Sequence, residues 1–304
     1  MFKIIKFDKY SWANVNEVNE QNLARLKKLF KVHLLDLEDI KSDVHDPKLD
    51  IYKNYLFAVF NLPHYNKDTG RIERYDFDIF IGKNFLVTVH KGKVQEIDNL
   101  FKKLERSGNL SRDWLGAGAD YLLFKVLQFL FKAKMGEPIN VLSTRLAELE
   151  NNIFQESDRE NIKDLAVIRR NVLLFRRILE PQRLYVRSLA AAKGDFVRKE
   201  HEPYFDDVHD YLEKIWVHLE GYKDTIGGLY DTIDSLLEYR SAEIIKILTL
   251  ISVALMPLTL LASVYGMNVR LPLSDKPHYI WMTFGSLAIT VVLIFAILKK
   301  KKWF

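Results

Sequence analysis

The chain contains no cysteine, which excludes disulfides, thiolate zinc sites and a cysteine nucleophile. Its eight histidines are scattered. His201, His209 and His218 stand too far apart for a helical metal pair at i and i+4, and they read as surface residues. No His-Glu-x-x-His, Gly-x-Ser-x-Gly or phosphate-cradling glycine loop occurs, so neither an enzymatic activity nor an organic cofactor is expected. Met1 to Tyr10 is charged and alternating, without the apolar core of a signal peptide. Proline is missing between Pro203 and Pro257, and nothing there stops a long helix.

Charge is the next scarcity, and it is uneven. Residues 244–304 carry Lys246, Arg270, Lys276, Lys299, Lys300, Lys301 and Lys302 against Asp275 alone, while the remainder holds 38 basic and 39 acidic residues. The overall +5 is therefore a membrane-anchor signal, and no nucleic-acid partner is expected.

What the C-terminal region has instead is two uncharged apolar runs, Ile247–Tyr265 and Tyr279–Leu298. Each is near the roughly 20 residues a membrane-spanning helix needs. Backbone polar groups must be satisfied internally in hydrocarbon, so both runs are expected to be helical, with irregular backbone at Gly266–Asn268 placed at the membrane surface. The four lysines at 299–302 put the C-terminus on the cytoplasmic side, and two crossings put the N-terminal part there as well. The expected location is the plasma membrane.

Four segments, Phe2–Phe7, Tyr55–Leu62, Tyr75–Ile81 and Phe85–His90, are short and rich in β-branched or aromatic residues, bounded by Asn66, Gly70, Gly82 and Gly92. Glu20–Leu29 and Val94–Leu104 have helical spacing. Residues 1–110 thus read as an α/β domain, and 111–202 as a helical region with breaks at Gly136, Pro138 and Pro181. A stalk helix over 203–246 then feeds a first span at 247–265. At ~1.5 Å per residue the continuous helix exceeds ~80 Å, although Gly221, Gly227 and Gly228 each weaken it by up to ~1 kcal/mol. An outer loop at 266–278, a second span at 279–298 and a basic tail at 299–304 complete the chain.

On a helical wheel Ser252, Met256, Thr259 and Ser263 fall at i, i+4, i+7 and i+11, and Ile245 and Leu248 continue that face. Three readings stay open for this stripe: hydroxyls bonding back to their own helix, small residues packing helices in lipid, or the lining of a pore.

The sequence Tyr265-Gly266-Met267-Asn268, the Met256-Pro257 step, the apolar hairpin and the closing Lys299-Lys300-Lys301-Lys302-Trp303-Phe304 together resemble the CorA family of divalent-cation channels. That family's signature is Gly-Met-Asn at the outer end of the first of two C-terminal membrane helices. The resemblance implies a homopentamer in the lipid bilayer, with the first span of each copy around a central pore for magnesium, cobalt or nickel. Gly266, Met267 and Asn268 would form the selectivity filter. Ile245, Leu248, Ser252, Met256, Thr259 and Ser263 would line the conduit, the first two as apolar constrictions. Magnesium keeps its waters and prefers oxygen ligands, which suits a ring of carboxamides; as an alternative, Asn268 caps its own helix.

The resemblance also implies gating by cytoplasmic magnesium. Pro203-Tyr204-Phe205-Asp206-Asp207-Val208-His209-Asp210 resembles the opening of the family's stalk helix, which gives Asp207 a metal-sensing role, with Asp231 as a second acidic position and Glu96 or Asp98 as the partner from the N-terminal domain. The bland alternative is that Asp206, Asp207 and Asp210 favour a helix N-terminus. Two departures stand out: Arg270 and Lys276 flank Asp275 in a loop that is often acidic in the family, and Phe131-Lys132-Ala133-Lys134 is basic where acidity is usual. Two other readings remain, a zinc-transporting member that shares Gly-Met-Asn and a non-conducting, membrane-anchored oligomeric sensor.

Overall fold

The computed structural model describes residues 2–7, 9–42, 46–106, 118–155, 159–191, 196–268 and 277–300. It divides into two compact units, Met1–Tyr230 and Asp231–Phe304.

The first unit begins β1 (Phe2–Lys6), β2 (Ser11–Val15), α1 (Glu20–Phe30) and α2 (Leu34–Lys41). It continues β3 (Lys48–Ile51), β4 (Tyr55–Asn66), β5 (Arg71–Gly82), β6 (Phe85–Val89) and α3 (Gln95–Arg106). The strands form one sheet in the order β1-β2-β6-β5-β4-β3. Only the β2–β6 pair is parallel; the other neighbours run antiparallel. One face buries Ala13, Val15, Phe57, Val59, Phe80, Val87 and Val89 against Leu23, Leu26, Leu37 and Ile40 of α1 and α2. On the other face Trp12 meets Phe101 of α3 at 4.8 Å between ring centroids.

Local chemistry fixes the turns. The Asn19 side chain caps α1 by accepting from Asn22 N–H at 2.8 Å. Asn66 accepts from the N–H groups of Asp68 and Thr69, and Gly70 takes φ +65° to close the β4–β5 hairpin. β4 runs on through Pro63. This is possible because β3 pairs only with Leu56–Val59, so beyond Val59 one edge of β4 needs no amide donor.

Two long helices follow, α4 (Ala119–Gln155) and α5 (Arg159–Ala191). They correct the expected breaks: α4 passes through Gly136 and Pro138, and α5 through Pro181. Buried Met135, Ile139 and Leu142 continue one apolar face across the first interruption, so packing outweighs the lost hydrogen bond and the helix carries on. Beyond Pro181, Gln182 is fully buried and its side chain donates to the Ile178 carbonyl at 2.7 Å and to the Asn61 carbonyl of β4. Phe131 of α4 meets Phe60 of β4 at 5.7 Å, which makes the unit three-layered: α1 and α2, the sheet, then α3, α4 and α5.

A 3₁₀ turn at Lys199–His201 leads into α6 (Glu202–Tyr265). The three glycines do not interrupt it. Within the first unit α6 is laced to α5. Arg183 donates to both carboxylate oxygens of Glu213 at 2.7 and 2.6 Å, Arg176 pairs with Glu220, and the Arg176 and Arg183 guanidinium groups each sit over the Trp216 ring, at 4.9 and 4.4 Å from its centroid.

The second unit contains the rest of α6, a turn at Gly266–Asn268, and α7 (Pro277–Lys300). α6 includes an apolar window of mean hydropathy 2.3, none of it buried and long enough to cross a membrane; His278–Leu293 of α7 is a shorter apolar run.

Candidate functional site

In the second unit α6 has two unlike faces. Ala254, Pro257, Leu258, Leu261, Val264 and Tyr265 are half-buried, as are Ile280, Phe284, Leu287 and Val291 of α7. The Tyr265 and Phe284 rings lie 6.2 Å apart, so these are the faces the two helices present to each other. Ser252, Met256, Thr259 and Ser263 are all exposed, as are Ile245 and Leu248 further down, where every residue from 237 to 249 is exposed; Met256 is at 71% exposure. Ser252 and Thr259 donate to the carbonyls of Leu248 and Leu255, both at 2.9 Å. Back-bonding therefore occurs, as one of the open readings holds, and it leaves each hydroxyl oxygen an acceptor lone pair on the exposed surface.

This stripe ends at the Gly-Met-Asn turn. Gly266 N–H still bonds to Ala262 C=O at 2.9 Å, and Met267 N–H tightens to Val264 C=O at 3.3 Å. A Cβ on Gly266 would sit 3.2 Å from the Ala262 carbonyl oxygen, so glycine lets the backbone leave the helix close to its last turn. Met267 and Asn268 are exposed. No hydrogen bond ties the Asn268 carboxamide to α6 among the described residues. Arg270, Asp275 and Lys276 lie outside the described residues, as do Lys301, Lys302, Trp303 and Phe304.

The acidic candidates occupy separate places. Asp207, exposed on α6 in the first unit, accepts from Gln128 Nε2 of α4 at 3.0 Å. Asp231 is exposed in the second unit, its carbonyl accepting from Ser235 Oγ. Glu96, in the first turn of α3, is engaged by the Lys134 ammonium at 2.7 Å, and its other oxygen is buried without a partner. Asp98 accepts from Asn14 and Asn16 at 2.7 and 2.9 Å. Burial alone raises its pKa, but His90, 3.5 Å away, and the two amides outweigh that and hold it at about 2. No group of three His, Asp or Glu side chains is placed to hold a metal among the described residues.

Sequence reasoning missed a further cluster. His201, expected at the surface, is 7% exposed and Asp120 is 5% exposed. Their Nδ1 and Oδ2 atoms lie 2.9 Å apart. Nothing local marks either residue for burial; the contact spans 81 positions.

The chain matches the family model for the CorA-like Mg2+ transporter protein over residues 7–300. It is 26% identical over 283 residues to the cobalt/magnesium transport protein CorA of Thermotoga maritima, covering 90% of this chain and 77% of that one. It is 23% identical over 274 residues to the protein of the same name from Methanocaldococcus jannaschii, covering 90% and 84%. The complete structure of the CorA magnesium transporter from Methanocaldococcus jannaschii superposes with a TM-score of 0.83 at 20% identity, covering 99% of this chain and 94% of that one. These are transporters rather than enzymes, in line with the absence of catalytic motifs. A match over nearly the whole chain, joined to a Gly-Met-Asn turn at the end of a long helix, shows that the chain belongs to the CorA family.

Proposed function

We propose that the chain assembles as a homopentameric channel that carries divalent cations, magnesium foremost and cobalt or nickel as well, across the plasma membrane. α6 supplies a stalk over 203–246 and the first span over 247–265, the loop at 266–278 faces outward, and α7 supplies the second span at 279–298. Both termini are cytoplasmic, and the lysines at 299–302 ring the inner surface.

The observation that carries this reading is the exposed helix pair that ends in the Gly-Met-Asn turn. Ile245, Leu248, Ser252, Met256, Thr259 and Ser263 are all exposed, and lipid, further copies or water must cover them. One helix pair cannot enclose a conduit, whereas five pairs with α7 outside can. At the outer rim Gly266, Met267 and Asn268 form a collar whose carboxamides accept the waters of a hydrated ion without stripping them. Ile245 and Leu248 close the pore by dewetting.

Regulation uses Asp207, Asp231 and Glu96 as the acidic positions through which inner magnesium holds neighbouring copies together. Carboxylates brought close across a subunit boundary repel one another, and a divalent ion replaces repulsion with bridging. The ion favours the closed state by its differential affinity for it.

Reconstitution tests the reading. Liposomes containing the purified protein take up Mg2+, and Asn268→Ala abolishes uptake while native mass spectrometry still finds five copies. Undiminished uptake by Asn268→Ala removes the collar. An oligomer that conducts no ion is the anchored sensor, and preferential Zn2+ uptake moves the protein to zinc transport. Asp207→Lys shifts the inhibition curve for inner Mg2+; an unaltered curve places sensing elsewhere.

A further inference from the structure

Between α4 and α5 runs a groove of about 280 Å³, lined by none of the residues assigned to transport. Arg145, Glu148, Leu149 and Asn152 of α4 face it together with Asp164 and Ile168 of α5. Positions 145, 148, 149 and 152 follow the three-and-four spacing that places side chains on one helix face, so the α4 wall is a single row. Leu149 and Ile168 are buried and make the floor; Arg145, Glu148, Asn152 and Asp164 are exposed above it.

The charges of this groove are unpaired. Arg145 and Glu148 stand three positions apart on α4, where opposite charges readily meet, yet the side chains of Arg145, Glu148 and Asp164 form no ion pair or hydrogen bond among the described residues. The Arg145 guanidinium lies over the Tyr65 ring instead, 5.7 Å from its centroid. Tyr65 is 5% exposed, and its hydroxyl is buried with no partner among the described residues, a costly state for a donor unless something outside the chain accepts from it. A Cβ on Gly70 would lie 3.5 Å from Arg145 Nη1 and 3.7 Å from the Tyr65 hydroxyl, and glycine at φ +65° leaves that point without a side chain. Two donors, one of them cationic, thus border a single gap at the Arg145 end of the groove.

We propose that the groove binds a small, elongated zwitterion, with a carboxylate at Arg145 and Tyr65, an ammonium between Glu148 and Asp164, and a short aliphatic chain over Leu149 and Ile168. A guanidinium takes a carboxylate through two parallel N–H···O bonds, and the Tyr65 O–H adds a third donor. Asn152 lies two turns beyond Arg145, about 10 Å along the helix. It stands three residues before the end of α4, as Asp164 stands five after the start of α5, so the negative wall belongs to the far end of the groove. A ligand whose two charges are adjacent cannot reach both ends. A bare anion is repelled by Glu148 and Asp164 and a bare cation by Arg145, which makes both charges on one molecule the condition for binding. The site includes no pore residue, so it stands or falls separately from the transport reading.

Calorimetric titration of the full-length protein in lipid nanodiscs tests it, with 6-aminohexanoate as the probe and no flux to measure. This compound is expected to bind about tenfold more tightly than hexanoate, hexylamine or 3-aminopropanoate, each of which lacks one charge or the span. Arg145→Met, which keeps an aliphatic stem over Tyr65, lowers the affinity for 6-aminohexanoate to that for hexylamine. Asp164→Asn, a change at an exposed position that leaves the floor intact, weakens it toward that for hexanoate, and Tyr65→Phe weakens it about threefold. Absence of 6-aminohexanoate binding by the wild type, equal affinity for all four compounds, or wild-type affinity in either Arg145→Met or Asp164→Asn overturns the proposal.

Discussion

The two units treat apolar side chains in opposite ways. In Met1–Tyr230, Trp12, Phe57, Phe60 and Phe77 are wholly buried; in Asp231–Phe304, Leu248 is 63%, Met256 71% and Trp281 77% exposed. Exposed apolar surface costs about 25 cal/mol per Å² in water, and patches of this extent mark a membrane or protein contact. The first unit makes its own interior. The second leaves its apolar side chains exposed, and in the proposed assembly lipid and further copies of the chain would cover them.

This contrast can be broken most severely in the first unit. Phe60→Ala removes a ring packed edge-on against Phe131 and should cost about 3–5 kcal/mol in denaturant unfolding. A loss below about 1 kcal/mol would mean that α4 and the sheet do not share a core.

Acid comes next. Burial pulls the Asp120 pKa up, but Arg198 and His201 more than offset it and leave the carboxyl below the usual aspartate range. A depressed carboxylate contributes stability that is present above the ordinary aspartate value and lost as pH falls through the lowered one. Asp120→Asn should therefore cost on the order of 2 kcal/mol at neutral pH, and its unfolding curve should lack the wild type's steep loss in strong acid. Parallel curves for the two proteins would detach Asp120 from the acid response.

A smaller effect is expected where α5 meets α6. Arg183→Ala breaks the pair with Glu213 and uncovers one face of Trp216, worth about 1 kcal/mol at a partly exposed site. The shift in Trp216 fluorescence during unfolding reads it directly. Smallest of all, Trp281→Ala on the exposed face of α7 should leave the unfolding of the first unit within about 0.5 kcal/mol of wild type. A larger change would tie α7 to the interior of the first unit and weaken the contrast.

Legibility in the sequence follows the same division. Long periodic patterns gave themselves away: α6 runs unbroken to Tyr265, and Gly266–Asn268 form a turn at its end. β2 was hidden because Trp12 to Val15 are buried on both faces of the sheet, with Asn14 among them. Asn14 is satisfied inside by Asp98 and Thr88, so no polar and apolar alternation advertises a strand. β3 is four residues long, too short for any period. The expected breaks at Pro138 and Pro181 failed because local propensity yields to packing on both sides of each proline. His201 failed for a related reason: its partner Asp120 is distant in sequence, and burial by distant contacts leaves no local trace. At the candidate site the stripe and its terminal turn were readable as spacing. The pairing of Lys134 with Glu96 is a long-range contact that position in the sequence alone does not reveal.

The absence of cysteine from the sequence makes the proposed pore-lining stripe directly testable by thiol accessibility in conducting liposomes. Met256→Cys and Thr259→Cys should be blocked by a membrane-impermeant thiol reagent applied at the Asn268 mouth, while Leu261→Cys and Val264→Cys, on the face toward α7, should conduct undisturbed. Block at Leu261→Cys and Val264→Cys with Met256→Cys and Thr259→Cys unaffected would contradict the account.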